Sequence, residues 1–241
     1  MPITELGARR GRTAATTLLG LAAVWLSGCQ NIQNSSPPQT MVRVIDASYN
    51  APPVDVNIGI TPIAVNVGAS TFTNYAFLPP ENAPAYVFPT ETTTATASVA
   101  GAFLVAQQHS VFITDTSSGY QATLLTDQAA IPPAGYVSLR FLQQAVRTGA
   151  LDIYLIPSDG TLAGAKPLLS RMTTGTVSGY VNVQAGNYTL AIAPAGDTNA
   201  KDLFTSEALQ FTAEQVRSVL IMDAELTTSP PVTIAIGDDL N

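Results

Sequence analysis

Residues 107–115, QQHSVFITD, and residues 215–223, QVRSVLIMD, decide the fold of this 241-residue chain. Each puts a short run of β-branched and other apolar residues after polar ones and closes on an aspartate, the pattern of a strand running into a turn. Other segments match across the same interval: Val54-Asp55-Val56 with Leu151-Asp152-Ile153, and Thr71-Phe72-Thr73-Asn74-Tyr75 with Thr176-Val177-Ser178-Gly179-Tyr180. Self-similarity of this kind marks a repeated structural unit, and a unit of about a hundred residues has the size of an immunoglobulin-like sandwich. The expected fold class is all-β, with two tandem immunoglobulin-like β-sandwich domains over residues 41–130 and 136–241. The boundary falls at Ala129-Ala130-Ile131-Pro132-Pro133-Ala134-Gly135.

Outward from these segments, short alternating runs recur at intervals typical of a sandwich, from Val42–Asp46 through Val54–Ile58 and Tyr86–Phe88 to Val232–Ile236. No segment has the period of a long amphipathic helix, and Thr212–Arg217 is expected to make one helical turn at most.

The N-terminus is organised differently. Arg9, Arg10 and Arg12 precede an apolar run from Ala14 to Leu26, the order of charge and hydrophobe found in secretory signals. The run is shorter than the roughly 20 residues that span a bilayer. Its end, Leu26-Ser27-Gly28-Cys29, resembles the lipobox of bacterial lipoproteins. That resemblance implies a signal peptide over 1–28 and acylation of Cys29, and Gln30 after the cysteine implies the outer membrane. Two or three acyl chains hold a protein on a membrane almost permanently. Residues 29–40 then form the acylated cysteine and a flexible tether, since QNIQNSSPPQT is polar and carries prolines.

The residues also carry a domain resemblance. Val42-Arg43-Val44-Ile45-Asp46-Ala47-Ser48, followed by Ala51-Pro52 and Val54-Asp55-Val56, is similar to the V-R-V-x-H-A-S-P-D-A-P and V-D-V opening of the domain-of-unknown-function family numbered 4397. Gly175–Tyr180 and Ala185–Leu190 resemble its F-G-x-V-S-G-Y and P-A-G-x-Y-x-L stretches. Asp46 stands where the family usually has histidine and Tyr49 where it has proline, so the first unit is the more diverged. The resemblance implies secreted or envelope-anchored β-domains.

Composition narrows the function classes. Three of the ten basic residues and one of the seventeen acidic ones precede Cys29, which leaves a formal charge of −9 after it. Such a surface disfavours nucleic acid. Cys29 is the single cysteine, so neither a disulfide nor a thiolate metal cage is expected. Asp55 and Asp152, and likewise Asp115 and Asp223, read as turn or edge residues, because calcium would need six to eight converging oxygens. Asp238-Asp239 reads as a solvated chain end, and Tyr75 and Tyr180 as core aromatics. His109, the one histidine, aligns with Arg217 and is expected at an exposed strand start; Ser110 lies on the opposite face of that strand. No catalytic set, cofactor site or metal site emerges. The expected function is an envelope-anchored structural or interaction module without catalytic activity, whose partners are the membrane, through the lipid anchor, and an envelope protein or polysaccharide. The alternatives are a carbohydrate-binding lipoprotein with a cleft between the domains and, behind it, a hydrolase using carboxylates.

Overall fold

Val54-Asp55-Val56-Asn57-Ile58 alternates apolar and polar residues, and in strand β2 (Val54–Ile58) the three apolar side chains are buried and the two polar ones half-exposed. A computed structural model describes residues 37–49, 52–116, 119–128, 130–197, 203–224 and 231–240. The segments expected to be the signal peptide and most of the tether, with Cys29 between them, lie outside the described residues.

The first sandwich is built from β1 (Thr40–Asp46), β2, β3 (Thr61–Val67), β4 (Thr71–Phe72), β5 (Ala76–Leu78), β6 (Glu81–Pro89), β7 (Ala97–Phe103), β8 (Gln108–Thr116) and β9 (Gly119–Thr126). One sheet has the order β4-β1-β8-β9 with β5 also on β1; the other has the order β3-β2-β6-β7. The second sandwich is built from β10 (Tyr136–Gln144), β11 (Leu151–Pro157), β12 (Leu169–Met172), β13 (Val181–Gln184), β14 (Gly186–Pro194), β15 (Phe204–Phe211), β16 (Val216–Asp223) and β17 (Val232–Asp238). Its sheets, β13-β10-β16-β17 and β12-β11-β14-β15, repeat the orders β5-β1-β8-β9 and β3-β2-β6-β7. In each sandwich a single parallel pair, β1 with β8 or β10 with β16, brings the first strand beside the penultimate one. The fold is thus all-β, two sandwiches in tandem, and no helix occurs among the described residues. Thr212–Gln215 forms a tight turn with Glu214 at φ 69°, not a turn of helix.

Each sandwich has its own core. Val42, Val44, Val56, Val87, Phe103, Val111 and Ile113 fill the first, and Leu139, Phe141, Ile153, Leu190, Ile192, Val219 and Ile221 the second. A third apolar cluster joins Ile45, Ala47 and Phe112 to Leu142, Leu220 and Met222. It consists of the opposite faces of β1, β8, β10 and β16, so these four strands are buried on both sides. Two sheets meet there, one from each sandwich, and this seam explains the near-continuous apolar runs of those strands.

Candidate functional site

The seam also holds charge. Arg43 on β1 and Arg140 on β10 occupy equivalent register positions, opposite Ser110 and Ser218, and are 1% and 3% exposed. Arg43 Nε donates to Ser110 Oγ (2.8 Å), and that hydroxyl donates to Asp127 Oδ2 (2.7 Å). Arg140 Nε donates to Ser218 Oγ (2.9 Å), which donates to Asp239 Oδ2 (2.5 Å). The outer guanidinium nitrogens cross over: Arg43 Nη2 bonds Asp239 Oδ1, and Arg140 Nη2 donates to Asp127 Oδ1 at 2.6 Å. Tyr75 and Tyr180 cap the set, donating to Asp127 Oδ2 (2.8 Å) and Asp239 Oδ2 (2.7 Å) and lying under Arg43 and Arg140 at 4.8 and 4.7 Å. Burial and the neighbouring carboxylates push both phenols well above their usual range. For Arg43, burial acts to lower the pKa, but Asp239, Tyr75 and Asp127 outweigh it and leave it raised. Two cations and two anions exchange partners between the sandwiches with every carboxylate oxygen bonded, the condition under which buried ion pairs are tolerated.

This overturns one expectation and sharpens another. Asp239 is not a solvated chain end: it is fully buried, because β17 carries it back into the seam. Asp238 beside it stays exposed and pairs with Arg217 at 3.6 Å. Tyr75 and Tyr180 do serve packing, but their hydroxyls end on buried carboxylates, not at a rim.

His109 is a second correction. The register that pairs it with Val42 and Thr126 does place it opposite Arg217 of the second sandwich, yet it is 2% exposed. Its ring meets Phe103 edge-on at 5.4 Å, and neither ring nitrogen has a hydrogen-bond partner of good geometry. Burial lowers its pKa, against the opposing influence of Asp127 and the Leu125 carbonyl. Where the second sandwich has Asp238 on the neighbouring strand to hold Arg217 at the surface, the first has Thr126. Ser110 faces the seam, committed to Arg43 and Asp127, so histidine and serine stay on opposite faces.

The paired aspartates are structural clamps. Asp55 Oδ1 accepts the Asn66 N–H (2.8 Å) and the Thr90 hydroxyl (3.0 Å). Asp152 accepts the N–H groups of Arg171 (2.7 Å) and Gly196 (2.9 Å). Asp223 accepts those of Val146 (3.0 Å) and Arg147 (3.3 Å). Among the described residues no group of three or more His, Cys, Asp or Glu is placed to hold a metal ion.

Three recesses stand out among the described residues. At the seam, Phe112, Thr114, Asp115, Gln121, Gln144 and Val177 line a pocket of about 170 Å³. On the opposite side of the seam Phe72, the counterpart of Val177, packs against Gly237 so closely that a Cβ there would run into its ring.

The largest of the three, about 370 Å³, lies on the outer face of the β3-β2-β6-β7 sheet between Asp55, Asn57, Pro62, Val65, Phe88 and Thr92. Outward residues of β2 and β6 stand side by side here, Asp55 beside Phe88 and Asn57 beside Tyr86. The two rings are 6.3 Å apart and tilted by 51°. In the second sandwich the corresponding pairs are Asp152 with Ala193 and Tyr154 with Ala191. There the connection from β11 to β12 is long, and its Leu162 and Ala165 pack over Tyr154, Ile156, Ala191 and Ala193. The first sandwich joins β2 to β3 through Gly59 (φ 55°) and Ile60 alone, so nothing comparable covers Tyr86 and Phe88. The covered face keeps a recess of about 200 Å³ between Ile156, Pro157, Leu162, Thr189 and Ala191, whereas its counterpart lacks the covering loop and leaves Tyr86 and Phe88 half-exposed.

Residues 40–154 match the family model described as "Domain of unknown function (DUF4397)", which supports that domain family for this part of the chain. No curated protein matches the chain. Among solved structures, the Bacillus anthracis TIE protein aligns at 7% identity over 83% of this chain and 44% of that one, with a TM-score of 0.25. The chain therefore spans less than half the length of that protein. A structure described as "Alpha-glucan recognition by family 41 carbohydrate-binding modules from streptococcal virulence factors" aligns at 13% identity over 80% and 96%, with a TM-score of 0.26. A leucine-rich repeat protein from Bacteroides thetaiotaomicron aligns at 12% over 80% and 26%, with a TM-score of 0.18. Overlaps this loose carry no argument about ligand.

Proposed function

Taking the domain match over residues 40–154 as the premise, we propose that the protein is a lipid-anchored binding module of the outer membrane, without catalytic activity. In this reading residues 1–28 are removed, Cys29 is acylated, and residues 29–40 tether two copies of one domain to the membrane. The second sandwich is the other copy, as its strand order suggests. The contact surface is the open outer face of the first sandwich. The observation that carries this is the asymmetry between matched faces: a long loop packs over the one lined by Ala191 and Ala193, and the one bearing Tyr86 and Phe88 lacks that loop and leaves both rings half-exposed. Aromatic side chains offer large contact area at little entropic cost, so half-exposed ones on a sheet face favour binding.

Capture from solubilised envelope tests the reading. The parent chain should retain a partner that the Tyr86→Ala/Phe88→Ala double variant loses while it remains folded. Equal capture by both would overturn the assignment of this face. For the anchor, Cys29→Ser should abolish partition into the detergent phase, and full retention there would remove the lipoprotein assignment. A second reading, a carbohydrate site between the domains, draws support from the polar pocket at the seam; it predicts that Gln144→Ala, not Phe88→Ala, weakens binding.

A further inference from the structure

We propose that the open face of the first sandwich takes a neutral, extended oligosaccharide; this rests on the reading of that face as the binding surface. Tyr86 and Phe88 follow each other on one side of β6, so their spacing follows the strand rise, about 6.6 Å for two residues. Successive sugar rings of a chain laid along the strand can each meet one aromatic ring. The axial C–H groups of a pyranose are weakly positive and apolar, which suits the negative face of an aromatic ring.

Polar groups stand where the sugar hydroxyls would fall. Asn57 lies beside Tyr86 and Asp55 beside Phe88, and Thr92 and Thr93 close one end of the groove. The Asp55 carboxylate is held in advance by the Asn66 N–H and the Thr90 hydroxyl, both on Oδ1. Such preorganisation lowers the entropy lost on binding. A carboxylate within the groove, on a chain whose net charge is already negative, disfavours an anionic glycan.

Other occupants fit less well. A peptide adding a strand to the sheet would need a regular edge. Of the two edges of this sheet, β3 is the one whose Pro62 and Val65 line the groove, and it has Pro62 without an N–H, Asn66 at φ 54°, and two register shifts against β2, features that blunt an edge. An apolar protein surface would match the second sandwich's face, with its alanines and Leu162, better than one that interleaves rings with an amide, a carboxylate and hydroxyls.

The test is isothermal titration of the full chain in detergent micelles with three neutral hexasaccharides, cellohexaose, maltohexaose and hexa-N-acetylchitohexaose, and with the anionic hexagalacturonate. At least one neutral probe should bind, hexagalacturonate should not, and Tyr86→Ala and Phe88→Ala should each weaken binding about tenfold or more, as truncation of a stacking ring does. Both side chains point away from the core and are half-buried, so the variants should stay folded with only a modest fall in melting temperature. Absence of binding by all three neutral probes, or affinities unchanged in both variants, would overturn the proposal. If no glycan binds yet envelope capture still depends on Tyr86 and Phe88, the glycan inference fails and the binding-face reading stands; if capture ignores both residues, that reading fails first.

Discussion

Asp46 and Gln143 hold the same place in the two sandwiches, at the end of β1 and near the end of β10, and do the same local work. Asp46 Oδ1 accepts the Ser48 N–H at 2.8 Å, and Gln143 Oε1 accepts the Ala145 N–H at 2.5 Å. The amide also donates to the carbonyls of Ala145 and Gly149, whereas Asp46 Oδ2 has no hydrogen-bond partner. Burial raises the Asp46 pKa, contacts with Ser48 pull it back, and the charge of Asp115 raises it further. A carboxyl whose folded pKa lies above its ordinary 3.8 loses stability for the fold as pH rises through the folded value. Asp46→Asn should therefore raise the unfolding free energy at pH 7 by on the order of 1 kcal/mol, read from the denaturant midpoint, with the gain vanishing below pH 3.8; a loss at pH 7 would refute this reading of the site. His109 has the opposite sign. Its pKa lies below the ordinary 6.5, so its contribution is intact above 6.5 and lost as pH falls from there through the folded value. His109→Leu should flatten that part of the stability profile. His109→Arg should cost about 3 kcal/mol or more, the penalty of a buried charge, and a change under 0.5 kcal/mol would put the histidine at the surface.

At the scale of strands, four elements differ from the rest. β2 and β7 bury one face and expose the other, and their alternation is readable directly from Val54–Ile58 and Ala97–Phe103. β1, β8, β10 and β16 bury both. Their runs, such as Val111-Phe112-Ile113 and Val219-Leu220-Ile221-Met222, carry the signal of two-sided burial, and two arginines set within such runs were the available hint of a buried ionic set. The partners were not legible, because Arg43 and Asp239 are far apart in the chain and meet only when two sheets close on each other. Removing one member should leave the other buried and unpaired. Asp239→Ala is expected to cost about 3–5 kcal/mol, and Arg43→Met/Asp239→Leu should recover most of that loss. A double-mutant cycle on denaturant midpoints measures the coupling, and additive effects would mean that the two charges do not interact.

For the whole molecule, the matched segments in the sequence pointed to two sandwiches, while how the two meet was hidden. Thr176–Tyr180 and Thr71–Tyr75 align, but one carries Val177 where the other has Phe72, and only the packed seam gives that difference meaning. The open face escaped notice for a related reason: Tyr86 and Phe88 stand out only against Ala191 and Ala193 once the covering loop is in place. Since ion pairs and an apolar cluster cross the seam, cleavage in the connector at Ile131–Gly135 should yield two fragments that still elute together in size-exclusion chromatography. Separate elution would show that the linker, not the seam, holds the sandwiches together.

The central claim is that the protein meets its partner through the open face of the first sandwich. Hydroxyl-radical footprinting of the chain, free in detergent and then in the cell envelope where we propose that it acts, reads this without assuming a ligand. The account predicts protection in the envelope of Tyr86, Phe88 and Val65, with Phe77 and Tyr136, exposed elsewhere, modified equally in both states. Unchanged modification of Tyr86 and Phe88, with protection appearing instead at Phe77, Tyr136 or the residues around the seam pocket, would contradict it.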